Sequence, residues 1–287
     1  MRSGSGATAN PESTSTQTSL AVRDGDSGTP TSRRVASRRA HAAMIPSAGR
    51  WRRKAAGGND GGVTTTYRLR AGDTGPVQQS PVTCGSACLT VARMLVDPLF
   101  ASWVRTGRPH PPGSPSGATE AERFAAYERV VMRRTNSLFA GGHRPNVPWP
   151  RRLGTPPWGA LLELEYGAAR IGTLYTLDVL RGGGETDLVT SFDTLVDVVA
   201  EGEPALLYVG NRLAPRHVVL VLPGDGDRML DVYDPASGRV DHLRRDTVVQ
   251  RRLGLSGWDV PWVAVRPTGL RTVRSKAYAV DLGAAPA

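Results

Sequence analysis

The 287-residue chain has little cysteine and almost no lysine. Its two cysteines, Cys84 and Cys88, are four positions apart, so on a helix they share one face, and a bridge between them would constrain almost nothing. This excludes a disulfide framework and with it any need for an oxidising compartment. Two cysteines without a neighbouring histidine also make a poor zinc site, so the sequence predicts no metal and no cofactor.

Long apolar runs are missing as well. No stretch of about 18 apolar residues exists, so we expect no membrane span. The N-terminal stretch has no apolar signal core either. These absences favour a cytoplasmic protein, with export by a non-classical or injection-type route as the alternative.

Positive charge is concentrated at one end of the chain. The net charge is +10, and the first 70 residues hold twelve basic and four acidic side chains. Residues 1–62 lack periodic apolar positions, and we expect a disordered basic arm there, with a possible anionic partner. We expect a folded domain over 63–270 and an extension over 271–287, while the oligomeric state cannot be read from the sequence.

The pattern of apolar residues predicts helices first and strands later. Such an order is typical of an α+β fold with a mainly antiparallel sheet. We expect mostly loop over 97–117 and an N-cap at Thr83. The predicted helices are 84–96, 118–136, 157–172 and 191–202, and the predicted strands are 63–71, 173–180, 204–210, 216–223, 228–235 and 261–267.

The two middle strands indicate a histidine–carboxylate pair. The sequence PGDGD between them is a tight-turn signal. If the chain folds back at Asp225, His217 lies across from Tyr233 and beside Asp234. Asp231 would then be about 10 Å away along the strand. The register therefore selects Asp234 as the partner of His217.

A thiol at the start of a helix suits nucleophilic chemistry. An imidazole can take the thiol proton while a carboxylate fixes the orientation of the ring, and the helix N-terminus favours the thiolate. Cys84 meets that requirement because it begins the predicted helix. Cys88, one turn further along, is expected to pack in the core.

Three segments together resemble a known family. QQSPVTCGSACL, RHVVLVLP and VYDPASG follow one another as in the papain-like cysteine peptidases, most closely the bacterial branch that trims double-glycine leader peptides. The resemblance implies a papain-like fold, with an N-terminal helical part whose nucleophile helix packs on the sheet. It also implies Cys84 as nucleophile, His217 as general base and acid, Asp234 as its orienting residue and Gln78 as oxyanion donor, with Gln79 as the rival one position away.

The function expected from this resemblance is that of a thiol hydrolase, a cysteine peptidase that cleaves a peptide or amide bond in a peptide or protein substrate. Three alternatives remain open. The chain could be a papain-fold toxin or effector delivered by a secretion or injection system. It could be an acyl or amide transferase that uses the same residues, or an inactive papain fold that serves as a binding module.

Overall fold

A computed structural model describes residues 66–272 of the chain. The predicted basic arm over 1–62 lies outside the described residues, as does the predicted extension apart from its first two positions. In the described range the helices are α1 Cys84–Val96, α2 Pro98–Thr106, α3 Glu120–Asn136, α4 Pro157–Glu163, α5 Glu185–Ala200 and α6 Arg245–Val249. The strands are β1 Thr173–Val179, β2 Ala205–Gly210, β3 Pro215–Val221, β4 Met229–Tyr233, β5 Val240–Arg244 and β6 Val260–Arg271.

The strands form one sheet in the order β1-β6-β2-β3-β4-β5, and every neighbouring pair is antiparallel. Mixed helices and antiparallel strands agree with the α+β prediction. Successive side chains of a strand point to opposite faces. In β3, Val218 and Leu220 therefore join the core that contains α1, while Val219 and Val221 join the core that contains α5.

Helix α1 occupies the predicted residues and is the most buried helix of the first core. Eleven of its thirteen residues are buried. Its small and apolar side chains let it contact α2, α3 and β3 closely. Because α1 is packed on several sides, its first residue is held in a fixed place. No single helix in residues 66–272 is long and apolar enough to cross a membrane.

Two predictions near α1 hold only in part. Residues 97–117 are mostly loop as expected, but nine of them form the unpredicted helix α2, which begins at Pro98. The Asp97 side chain accepts a 3.0 Å hydrogen bond from the N–H of Phe100, and Gly107 ends the helix in the left-handed region. Thr83 precedes α1, but its side chain does not cap the helix. Its hydroxyl donates instead to the Ser80 carbonyl, at 2.9 Å.

Other boundaries differ from prediction for local reasons. Residues 66–71 form no strand, although Thr74 makes an isolated bridge with Arg239. Helix α4 ends at Glu163 and passes into one wide π turn that ends at Ala168. Helix α5 begins six residues before the predicted start. The helix predicted over 157–172 is therefore too long at its C-terminal end, and the helix predicted over 191–202 starts too late. Strand β5 and helix α6 were not predicted.

Candidate active site

Cys84 is the first residue of α1. The N–H groups of a first helical turn have no intrahelical partner and carry partial positive charge. No side chain caps them here, since the Thr83 hydroxyl is bonded to Ser80. The Cys84 side chain is only 5% exposed. The thiol therefore lies in a sheltered place beside unpaired donors.

Cys88 has different surroundings one turn along the same helix. It is fully buried, and its thiol lies 3.4 Å from the carbonyl oxygen of Val218. Burial raises the pKa of the Cys88 thiol well above its ordinary value. A neutral thiol in an apolar setting is inert. Cys88 therefore packs as a small apolar side chain.

His217 lies near the start of β3 and is hydrogen-bonded to Asp234, which directly follows β4. The distance between His217 Nε2 and Asp234 Oδ1 is 2.8 Å. With Nε2 used in this way, Nδ1 is the ring nitrogen left for the thiol of Cys84. The Cys84 thiol is near enough to the imidazole to help raise the pKa of His217.

The register that brings this pair together is not the predicted one. In the observed hairpin Leu220 pairs with Tyr233 and Val221 with Val232. His217 is therefore opposite position 236, three residues from the Tyr233 of the prediction. His217 and Asp234 are diagonal neighbours on one face of the sheet, a distance that long side chains span. The registers differ because the connection between β3 and β4 does not turn tightly about Asp225.

Electrostatics favour a charged pair. Burial opposes a charge on His217, but its hydrogen bond with Asp234 and its contact with the Cys84 thiol raise the pKa of the imidazole to about 9. Burial likewise opposes a charge on Asp234. The hydrogen bonds from His217 and Ser256 nevertheless hold the pKa of this carboxyl below its ordinary value. At neutral pH, His217 is therefore protonated and Asp234 is ionised.

The sequence did not indicate Ser256. Its hydroxyl donates a 2.6 Å hydrogen bond to Asp234 Oδ2, while the N–H of Ala236 donates to Oδ1 at 2.9 Å. The segment LSGW at 255–258 carries a hairpin-turn signal, with Gly257 as its second central residue. That signal predicts a local turn, but it does not predict a contact with a residue 22 positions earlier.

Gln78 is tied to the loop that carries Asp234. Its N–H donates to the Pro235 carbonyl at 2.8 Å. Its side-chain Nε2 donates to the Ser80 carbonyl at 2.8 Å, and its Oε1 is buried with no hydrogen-bond partner among the described residues. Gln79, its rival, is exposed, and its side chain donates to Val77. The main-chain bond therefore associates Gln78, and not Gln79, with the Asp234 loop.

A buried carboxylate supports the segment between Gln78 and Cys84. Glu128 of α3 is 1% exposed and accepts a 3.3 Å hydrogen bond from the N–H of Gln79. Burial raises the pKa of Glu128 to about 7, against the hydrogen bonds from Gln79 and Thr83 that lower it. The sequence did not single out Glu128, because it stands on the apolar side of an ordinary amphipathic helix.

The other described histidines are placed differently. His110 accepts a 3.1 Å hydrogen bond from the indole N–H of Trp103. His242 of β5 lies 2.9 Å from Asp231 of β4, on the surface. His143 is in an exposed single helical turn. None of them accompanies a cysteine.

The larger cavities are elsewhere. A groove of about 920 Å³ lies between residues 66–79 and α3, a pocket of about 550 Å³ lies beside α5 and α6, and one of about 540 Å³ lies between α1 and the π turn. None of the three is lined by Cys84 or His217. In residues 66–272, no group of three or more His, Cys, Asp or Glu side chains is placed to hold a metal ion.

Comparisons with known proteins give little. No family model matches the chain, and no curated protein matches it either. Among solved structures, the Pseudomonas avirulence protein AvrPphB is similar, with 14% sequence identity and a TM-score of 0.36. The likeness covers 67% of this chain and 96% of that one. A likeness this distant carries no argument about activity or about the finer type of fold.

Proposed function

We propose that the chain is a papain-like cysteine peptidase, with Cys84 as nucleophile, His217 as general acid and base, and Asp234 as the residue that orients His217. One observation carries the proposal. A thiol at the first turn of a buried helix lies against an imidazole whose far nitrogen is bonded to a carboxylate. This is the arrangement that an activated cysteine nucleophile requires.

The raised pKa of His217 determines the first chemical step. An imidazolium beside a thiol favours the thiolate, so no further base is needed before attack. The thiolate of Cys84 attacks the carbonyl carbon of the substrate amide and forms a tetrahedral oxyanion. His217 then gives its proton to the leaving amine as the C–N bond breaks, which leaves an acyl-enzyme thioester.

Hydrolysis reverses these roles. Neutral His217 takes a proton from water while the hydroxide equivalent attacks the thioester carbonyl. The C–S bond breaks, and the thiolate–imidazolium pair returns. Throughout both steps, Nε2 of His217 keeps its proton and donates it in a hydrogen bond to Asp234. The carboxylate thereby stabilises the positive charge of the imidazolium.

The oxyanion is stabilised by the N–H of Cys84 and by the side-chain amide of Gln78. An amide nitrogen carries two hydrogens. One hydrogen of Gln78 Nε2 is used by the Ser80 carbonyl, so one remains. Donors that are already fixed stabilise the developing charge without reorganising in the transition state.

The substrate class that we propose is a peptide or protein segment that ends in Gly-Gly before the cleaved bond. The segments QQSPVTCGSACL and RHVVLVLP support this class through their resemblance to the double-glycine leader peptidases. A glycine pair has no side chains, so it fits a narrow approach to a thiol that is only 5% exposed.

The test is hydrolysis of fluorogenic peptides with and without a Gly-Gly pair. We expect Cys84→Ala to abolish turnover and Cys88→Ala to keep it, at a cost in stability of about 1–2 kcal/mol from the small cavity. The melting temperature of each variant checks its fold. A folded Cys88→Ala without activity, beside an active Cys84→Ala, would contradict the assignment. Equal turnover of the two peptides would contradict the proposed Gly-Gly substrate class but not the assignment of the catalytic residues.

A further inference from the structure

Ser256 stands in a two-residue hairpin turn between Leu255 and Trp258. The N–H of Leu255 donates to the carbonyl of Trp258 at 3.1 Å, and the N–H of Trp258 donates to the carbonyl of Leu255 at 2.9 Å. Ser256 has φ 47° and Gly257 has φ 81°. Two positive φ values define a type I′ turn, which favours Asn, Asp or Gly at both positions.

Serine is therefore an unfavourable choice at the first of these positions. Its Cβ crowds the carbonyl in the left-handed region, at a cost of about 1–2 kcal/mol. Burial does not explain the serine, because Ser256 is exposed and water could satisfy its hydroxyl. Strained residues of this kind persist where the surrounding structure uses them.

The hydroxyl of Ser256 shows what the strained position provides. Ser256 Oγ donates to Asp234 Oδ2 at 2.6 Å. The other carboxylate oxygen of Asp234 already accepts from His217 and from the N–H of Ala236. With Oδ2 held as well, the plane of the carboxylate is fixed, and with it the direction in which Oδ1 meets the imidazole ring.

The turn is rigid enough to hold that direction. Leu253 and Leu255 are buried in the core that contains α5, and Trp258 packs against the same core. The N–H of Gly254 donates to Asp259 Oδ1 at 3.0 Å. A side chain that is supported in this way can fix a functional group to within a fraction of an ångström.

We propose that Ser256 is a positioning residue, whose hydroxyl fixes the Asp234 carboxylate and thereby orients His217 toward Cys84. The inference rests on the proposed function of the site. Ser256 does not touch the thiol. It acts through Asp234 and His217, and its left-handed backbone is what presents the hydroxyl to Oδ2.

The central variant is Ser256→Gly. Glycine removes the hydroxyl and relieves the backbone, so the melting temperature should stay equal or rise. The rate at which iodoacetamide alkylates Cys84 at pH 7 should fall by about threefold to tenfold, which is less than the full effect of losing a hydrogen bond to a charged group, because the loss reaches the thiol only through Asp234 and His217. A residue with only a structural role cannot move these two readouts in opposite directions.

Two further variants separate the effect of relieving backbone strain from the effect of losing the hydroxyl. Arg228 is another non-glycine residue with a positive φ, at 65°, and it lies in the exposed connection before β4. Arg228→Gly relieves the same kind of backbone without touching Asp234, and it should leave alkylation of Cys84 within about twofold. Ser256→Asn keeps a side chain that tolerates the left-handed region and can donate to Asp234, so it should restore part of the rate.

The outcomes distinguish the two proposals. Peptide mass spectrometry with fragmentation reads Cys84 and Cys88 separately. If wild-type Cys84 reacts no faster than free cysteine, the proposed function fails. If wild-type Cys84 is activated and Ser256→Gly reacts at the same rate, the positioning role is overturned while the proposed function stands. A rate in Ser256→Gly that is slower only because the protein melts earlier would also overturn it.

Discussion

Two histidine–aspartate pairs flank β4, and their geometry is almost the same. His217 lies 2.8 Å from Asp234, and His242 lies 2.9 Å from Asp231. Their surroundings differ. The side chains of the first pair are 6% and 9% exposed, whereas those of the second are 52% and 25% exposed. Contact distance alone therefore does not mark a site, and burial together with the neighbouring thiol does.

The difference has an electrostatic cause. An exposed ion pair is screened by water and contributes little. In the sheltered pair, the hydrogen bond with Asp234 and the contact with Cys84 together raise the pKa of His217 to about 9, although burial alone would lower it. His217 also has the Cys84 thiol beside it, whereas His242 pairs with Asp231 directly across two strands on the surface. One pair is arranged to hold and move a proton, and the other is an ordinary cross-strand contact.

Removing each histidine in turn is the largest test of this contrast. His217→Ala should lower kcat by about a thousandfold or more, since the thiolate loses its counter-ion and the leaving amine loses its acid. His242→Ala should change kcat by less than about twofold, because an exposed pair contributes little. Turnover of the fluorogenic peptide measures both. Equal losses in the two variants would erase the contrast.

Replacing the two aspartates should produce a smaller difference in kcat than replacing the two histidines. Asp234→Asn keeps an oxygen that can accept from His217 Nε2, so we expect kcat to fall by about tenfold to a hundredfold, less than for His217→Ala. Asp231→Asn is the matched control and should leave kcat unchanged within about twofold. The melting temperature must be measured beside the rate. If Asp234→Asn fails to fold, Asp234 acts mainly as a turn residue.

The smallest effect concerns stability and pH. The pKa of His217 is raised in the fold, so its charge stabilises the protein fully below about pH 6.5 and ceases to do so as the pH rises through about 9. The free energy of unfolding should fall by about 1–3 kcal/mol over that window. Urea titrations at pH 6.5 and 9.5 measure it. His217→Gln should lose this slope and His242→Gln should keep it; a slope that survives in His217→Gln would contradict the assigned charge.

Local pattern was enough to predict much of the fold. Helix α1 occupies the predicted residues because small and apolar residues dominate the segment and Arg93 is its single charged residue. Helix α2 was missed, although Asp97 before Pro98 is a start signal for a helix. Strand β5 was missed because its burial alternates only partly and its outward residues are charged.

The site was harder to predict because it depends on register. The predicted register that selected Asp234 is wrong by three positions. In the structure Asp234 contacts His217 as a diagonal neighbour on the sheet and not as a residue directly opposite. Ser256 could not be predicted from any spacing, since it reaches Asp234 from the turn before β6. Contacts between distant segments depend on how the sheet twists and how loops pack, which local periodicity does not encode.

The most direct measurement is the rate at which iodoacetamide alkylates Cys84 and Cys88 in the folded wild-type protein at pH 7. The account predicts that Cys84 reacts at least about tenfold faster than free cysteine, because the imidazolium of His217 lies beside it at the start of α1, and that Cys88 hardly reacts while the protein is folded. His217→Ala should slow Cys84 to the rate of an ordinary thiol, and His242→Ala should not. A Cys84 that reacts no faster than free cysteine, or one whose rate is indifferent to His217, would contradict the account.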